Sequence, residues 1–108
     1  MSRSNYKRGY AFELRVRKFL ESIGFFVIRS AGSHGVADLL AFKRGESKRP
    51  LMIQCKTDGN ISSNERKELW NIAQECNCDA VIASKDKQKK IKLELMENPV
   101  DLVEMWFT

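Results

Sequence analysis

The sequence predicts an α/β fold, a single domain in which a central mixed β-sheet is flanked by helices. Three observations lead there. Phe12, Val16, Phe19, Leu20 and Ile23 recur at spacings of three and four, the period of one apolar helix face. Val36 to Phe42 and Leu51 to Thr57 are apolar runs joined by the polar stretch 43–50, as in a hairpin. A second helical pattern then precedes the short apolar run Ala80 to Ser84, the order of a crossover between parallel strands. With 108 residues the chain has length for one core, and 43% hydrophobic with 31% charged residues is the balance of a folded globular protein. The whole of 1–108 is therefore expected to form one domain.

The elements follow in order. Gly9 to Ser22 is an amphipathic helix with Gly24 as its stop, and Phe25 to Arg29 is a strand. The loop Gly32-Ser33-His34-Gly35 leads into the strand Val36 to Phe42, and the turn from Lys43 to Pro50 has the length of a mobile basic tip. After the turn Asp58-Gly59-Asn60, the segment Ser62-Ser63-Asn64-Glu65 offers a capping box for a helix running to about Cys76. Leu69, Ile72, Ala73 and Cys76 are its expected buried face. Lys85 to Lys90 reads as a solvated loop that is also able to touch phosphate. Ile91, Leu93 and Leu95 then alternate with Lys92 and Glu94, as a half-exposed strand does. Val100 to Phe107 suits strand or helix. Met105, Trp106 and Phe107 either pack onto the sheet or form a dimer interface.

The chemistry lies in polar residues that interrupt apolar strands. Asp38 heads one run, and Gln54 and Lys56 interrupt another, where a purely structural strand would carry Val or Ile. Residues i and i+2 share a strand face, so Gln54 and Lys56 project together while Ile53 and Cys55 point to the other side. A carboxylate, an amide oxygen and an ammonium brought into one pocket suit metal-assisted phosphodiester hydrolysis. A hard cation takes the oxygens and keeps open positions for phosphate and water, and the ammonium meets the developing charge. On spacing alone, a surface aspartate with two solvated strand-edge residues fits as well.

Charge is unevenly spread. Residues 1–30 carry seven Lys or Arg against two acids, and 91–108 carry one Lys against four acids. Arg3, Lys7, Arg8, Arg15, Arg17, Lys18 and Arg29 form a basic cluster suited to phosphate contacts, Arg8 and Arg29 above all; Arg15 and Lys18 read better as a solvated helix face. His34, beside the Asp38 strand, is a surface residue or a phosphate contact. Cys55, Cys76 and Cys78 lack the spacing of a zinc site and read as reduced structural thiols. No run reaches the roughly 18 apolar residues of a membrane span, and Met1-Ser2-Arg3-Ser4-Asn5 has no signal-like apolar core. The expectation is a cytoplasmic protein with no membrane partner and no small-molecule cofactor.

The order of these pieces carries a family resemblance. Lys7-Arg8-Gly9-Tyr10-Ala11-Phe12-Glu13-Leu14-Arg15, then Leu20 through Ser33, then the Asp38 and Lys56 strands, resembles the archaeal Holliday junction resolvase family of the PD-(D/E)XK nuclease superfamily. The resemblance covers Lys7 to Thr57, nearly half the chain. It implies a restriction-endonuclease-like core, and a homodimeric endonuclease that resolves four-way DNA junctions with Mg²⁺ or Mn²⁺. It makes Glu13 the helix-borne active-site acid, Asp38 the central metal-binding aspartate, Lys56 the lysine of the E-x-K pair and Ser33 a serine at the active-site mouth. Arg8 and Arg29 take basic positions that meet DNA; Lys7, Ser33 and His34 complete the expected DNA contacts. Gln54 departs, standing where the family usually has Glu. It removes a charge from the metal shell of Glu13, Asp38 and residue 54. The other readings are a nuclease of the same superfamily with a different DNA target, and a non-catalytic DNA-binding module whose metal site has decayed.

Overall fold

The computed structural model describes residues 3–30 and 36–107, with side chains from 9 onward in the first helix. Helix α1 (Arg3–Ser22) is followed by β1 (Phe25–Arg29), β2 (Leu39–Lys43), β3 (Leu51–Cys55), α2 (Ser63–Glu75), β4 (Asp79–Lys85), β5 (Ile91–Met96) and β6 (Leu102–Glu104). The six strands form one mixed sheet in chain order. Only β3 and β4 run parallel; every other neighbouring pair is antiparallel. The parallel pair needs a long crossover, and α2 supplies it. Among the described residues no helix is long and apolar enough to cross a membrane.

Local chemistry accounts for the element ends. Gly24 closes α1 at φ +98, a conformation that L side chains rarely adopt, and its carbonyl accepts from Arg44 N. Ser62 caps α2: its hydroxyl accepts from Glu65 N while the Glu65 carboxylate reaches back to Ser62 N. The first helix begins six residues earlier than the apolar spacing requires. Within the ambiguous last segment, Leu102–Glu104 is a strand, paired with β5 through Leu95 and Val103.

Sheet pleating divides the core in two. Phe12, Val16 and Leu20 of α1 meet Val27, Leu39, Ala41, Ile53, Val81, Ala83 and Leu93 on one face. Leu69 and Ala73 of α2 meet Met52, Ala80, Ile82 and Met96 on the other. Ile72 is only partly buried there, and Cys76 is exposed, contrary to its expected burial, because it lies past the last turn as the C-cap. Met105 and Phe107 pack on the first core, with Phe107 edge-on to Phe19 and Phe25 at 6.0 and 6.2 Å. Trp106 alone of that trio is displayed, at 79% exposure. A different apolar surface is open: Phe26, Ile28 and Phe42 lie on the second sheet face and are 50%, 45% and 38% exposed. Helix α2 leaves them uncovered because it packs on β3 and β4.

Candidate active site

Asp38 stands where two strands part. The β2–β3 ladder ends at Leu39 opposite Ile53, and one residue earlier Asp38 N still donates to Ile53 O at 2.8 Å. At that point the Asp38 side chain takes over from the backbone, its Oδ2 accepting from Cys55 N at 2.8 Å. Beyond the fork β3 stays with β4, since Lys56 N donates to Ala83 O at 2.8 Å. Asp38 thus bonds the residue on each side of Gln54 and pins the end of β2 to β3 at the head of the cleft where the strands part. A strand-end aspartate satisfies a backbone amide that would otherwise lose its ladder partner.

Glu13 reaches the same end of the sheet from α1. Its Oε1 accepts from Arg29 Nε at 3.0 Å, and the Arg29 guanidinium lies 4.7 Å from the centre of the Tyr10 ring. Burial raises the Glu13 carboxyl above the ordinary range, and the Asp38 charge raises it further against the opposing pull of Arg29. Burial likewise raises Asp38, opposed by the Cys55 amide and by the charges of Lys56 and Arg29. The Cys55 thiol is pushed upward, first by burial and then by Asp38 and Glu13, which leaves it an inert neutral group. The site therefore holds two acids, Glu13 feeling the charge of Asp38, and two cations, Arg29 and Lys56, that oppose their rise.

Lys56 is turned toward α2, with its Nζ 3.5 Å from Glu65 Oε2. The Glu65 carboxyl is lowered chiefly by its hydrogen bonds from Ser62, with a smaller contribution from Lys56. The capping box thus does more than start a helix: it sets an acid beside the lysine of the cleft. Lys85, at the end of β4, lies with its Nζ 5.6 Å from the centre of the Phe12 ring. Sequence reasoning named Glu65 only as a cap and gave Tyr10 no role; the helix motif around each is the signal that was present, and their partners are distant in the chain.

Of the residues expected at the site, Glu13, Arg29, Asp38 and Lys56 are brought together. Gln54 is half-buried on β3 opposite Ile82, on the face shared with Met52 rather than that of Ile53 and Cys55. Ser33 and His34, and the side chains of Lys7 and Arg8, lie outside the described residues. The turn 44–50 projects from the end of the hairpin opposite Asp38, so its basic tip points away from this cleft. Among the described residues no three His, Cys, Asp or Glu side chains gather into a metal-binding group. The donor set still fits a hard divalent cation: two partly buried carboxylates both have raised proton affinity, chiefly from burial, and an amide sits between the two residues that bond Asp38. One or two carboxylates with several retained waters is how Mg²⁺ is commonly held.

A family model described as "Archaeal holliday junction resolvase (hjc)" matches residues 4–104. The "Crossover junction endodeoxyribonuclease Hjc" of Methanocaldococcus jannaschii is 44% identical over 66 residues, spanning 61% of this chain and 47% of that relative. The solved structure of Archaeoglobus fulgidus Hjc, a Holliday junction resolvase from an archaeal hyperthermophile, has a TM-score of 0.65 at 26% identity, covering 80% of this chain and 70% of that one.

Proposed function

The chain belongs to the archaeal Holliday junction resolvase family, and from that premise we propose that it is a metal-dependent endodeoxyribonuclease that cuts four-way DNA junctions. The observation that carries this reading is the fork in the sheet, where the Asp38 carboxylate is fixed by Cys55 N within electrostatic reach of both Glu13 and Lys56. Asp38 and Glu13 hold the cation, with the Gln54 carbonyl oxygen as a neutral ligand. Bound Mg²⁺ or Mn²⁺ supplies Lewis-acid polarisation of the scissile phosphate and a water of lowered pKa. Lys56 donates to the phosphoryl oxygen on which charge develops, or orients the water, and Glu65 keeps its ammonium at the cleft. Arg29 holds Glu13 in place through a charge-assisted hydrogen bond. The formal net charge of +5 assists association with a polyanion.

A four-way junction has two-fold symmetry and is resolved by two symmetric cuts, so the active species is a homodimer. The open apolar surface of Phe26, Ile28 and Phe42 is the better candidate for its interface than the chain's last residues, because Met105 and Phe107 are committed to the core. The test is a gel assay with a synthetic four-way junction, a linear duplex and a flap, each with and without Mg²⁺, alongside light scattering at micromolar concentration. Mg²⁺-dependent cleavage of the junction in preference to both other substrates, by a dimer, is expected. Equal cleavage of flap and junction would reassign the substrate, and a monomer making paired cuts would refute the two-fold arrangement.

Gln54 sets a second expectation. With an amide in place of a carboxylate, attraction for the cation is weaker, so Gln54→Glu lowers the Mg²⁺ concentration for half-maximal cleavage by about three- to tenfold, the net of ~4 kcal/mol of near-surface attraction less most of it in desolvation. Wild type inactive with every divalent ion and Gln54→Glu active would identify a decayed site and a DNA-binding module. The reverse result would assign Gln54 a donor role through its amide N–H₂.

A further inference from the structure

The β4–β5 turn is a basic projection fixed at the mouth of the cleft. Residues 85–90 carry Lys85, Lys87, Lys89 and Lys90 against the single acid Asp86. The acid faces inward: Asp86 Oδ1 accepts from Gln88 N and Lys90 N, both at 2.9 Å. Asp86 N to Lys90 O and Lys89 N to Asp86 O, also 2.9 Å each, tighten the same turn, with Lys89 at φ +63. A single carboxylate oxygen taking two backbone donors holds the loop in one shape.

The turn is also tied to both walls of the site. Lys85 N donates to Thr57 O at 3.1 Å, directly after Lys56, and Arg15 Nη2 donates to Lys89 O at 3.2 Å, two residues along α1 from Glu13. Residues 87–90 are exposed, and Lys87, Lys89 and Lys90 enter no ion pair among the described residues. A run of lysines on a floppy loop is ordinarily a solvated surface. Here the turn is shaped by its own aspartate and anchored to the strand and helix that carry Lys56 and Glu13, so its cations hold a set position relative to the cleft.

We propose that this turn is a phosphate-backbone clamp: Lys87, Lys89 and Lys90 grip the DNA arm that runs out of the cleft beyond the scissile phosphate. The contact reads no bases, as point-charge contacts to phosphate do not. It deepens the proposed function and rests on it. Each lysine that neutralises a phosphate releases condensed counterion, which gives the clamp a thermodynamic signature separate from catalysis.

The test compares Lys87→Gln/Lys89→Gln/Lys90→Gln with Arg44→Gln/Lys48→Gln, whose residues lie on the turn at the other end of the sheet. Binding to a four-way junction is measured without divalent cation across a salt series, with thermal melting as the check on folding. The clamp variant is expected to melt as wild type does. Its plot of log affinity against log salt loses about 2 to 3 from its slope, at about 0.9 per phosphate contact, and its affinity in 0.1 M salt falls by about tenfold or more. The far-end variant keeps the wild-type slope. An unchanged slope in the clamp variant, or an equal loss per charge in both variants, overturns the clamp while leaving the nuclease reading standing. Wild-type protein that binds no junction overturns both.

Discussion

Asp38→Asn abolishes junction cleavage and leaves binding to the same junction close to wild type, as read by a cleavage gel and by a binding titration without metal. The amide keeps an oxygen for the Cys55 N–H, so the fork survives, while the negative charge proposed to hold the cation is lost. Stability moves the other way. Burial raises the Asp38 carboxyl, so the folded protein binds that proton more tightly than the unfolded chain. The stability linked to this group is full below the ordinary aspartate value, about pH 4, and is lost as pH rises through the raised value. At pH 7 the ionised carboxylate is a cost to the metal-free protein. Without divalent cations Asp38→Asn therefore melts above wild type at pH 7, and the difference closes toward pH 4. Added Mg²⁺ raises the melting temperature of wild type and not that of the variant. Cleavage at the wild-type rate would remove Asp38 from the chemistry. A variant melting well below wild type at pH 7 would show that its contacts outweigh burial.

Phe12→Ala is expected to lower stability by about 3–5 kcal/mol, a large share of what a domain of this size possesses. Phe12 is 2% exposed, fills the space between α1 and the sheet, and carries Lys85 over its ring. Removing the ring leaves a cavity directly beneath the turn of helix that bears Glu13. A drop in Tm of about 10 °C or more follows from the enthalpy and entropy scale of a domain near this length. Cleavage at temperatures well below the melt also falls, because Glu13 loses its backing. A denaturant melt showing a loss under about 1 kcal/mol would mean that the core closes over the gap, and that the packing of α1 on the sheet is looser than its burial indicates.

The elements most legible beforehand were those written in local spacing. The apolar face of α1, the hairpin around 43–50 and the capping box at Ser62 each depend on residues a few positions apart, and each stands where that spacing puts it. The last eight residues were not legible, since a three-residue strand is too short for alternation to distinguish it from a helix turn. Met105, Trp106 and Phe107 were equally ambiguous. Alternation along an extended segment sends the first and third inward and the second outward, and that follows only once the segment is known to be extended.

The candidate site divides the same way. By itself the sequence marked Asp38, Gln54 and Lys56 as polar residues set against apolar runs, and spacing alone left open a surface aspartate with two solvated strand-edge residues. Through its resemblance, Glu13 joined them. What tertiary structure decided is how they meet: β3 parts from β2 at Asp38 while staying with β4, the carboxylate inherits the orphaned Cys55 amide, Arg29 takes Glu13, and Glu65 takes Lys56. Likewise it turned the basic tip at 44–50 away from the site and the tip at 85–90 toward it. Those outcomes lie in contacts between residues far apart in the chain, set by how two helices pack on opposite faces of one sheet. Local periodicity fixes which face a residue occupies, and carries no information about which distant residue it will find there.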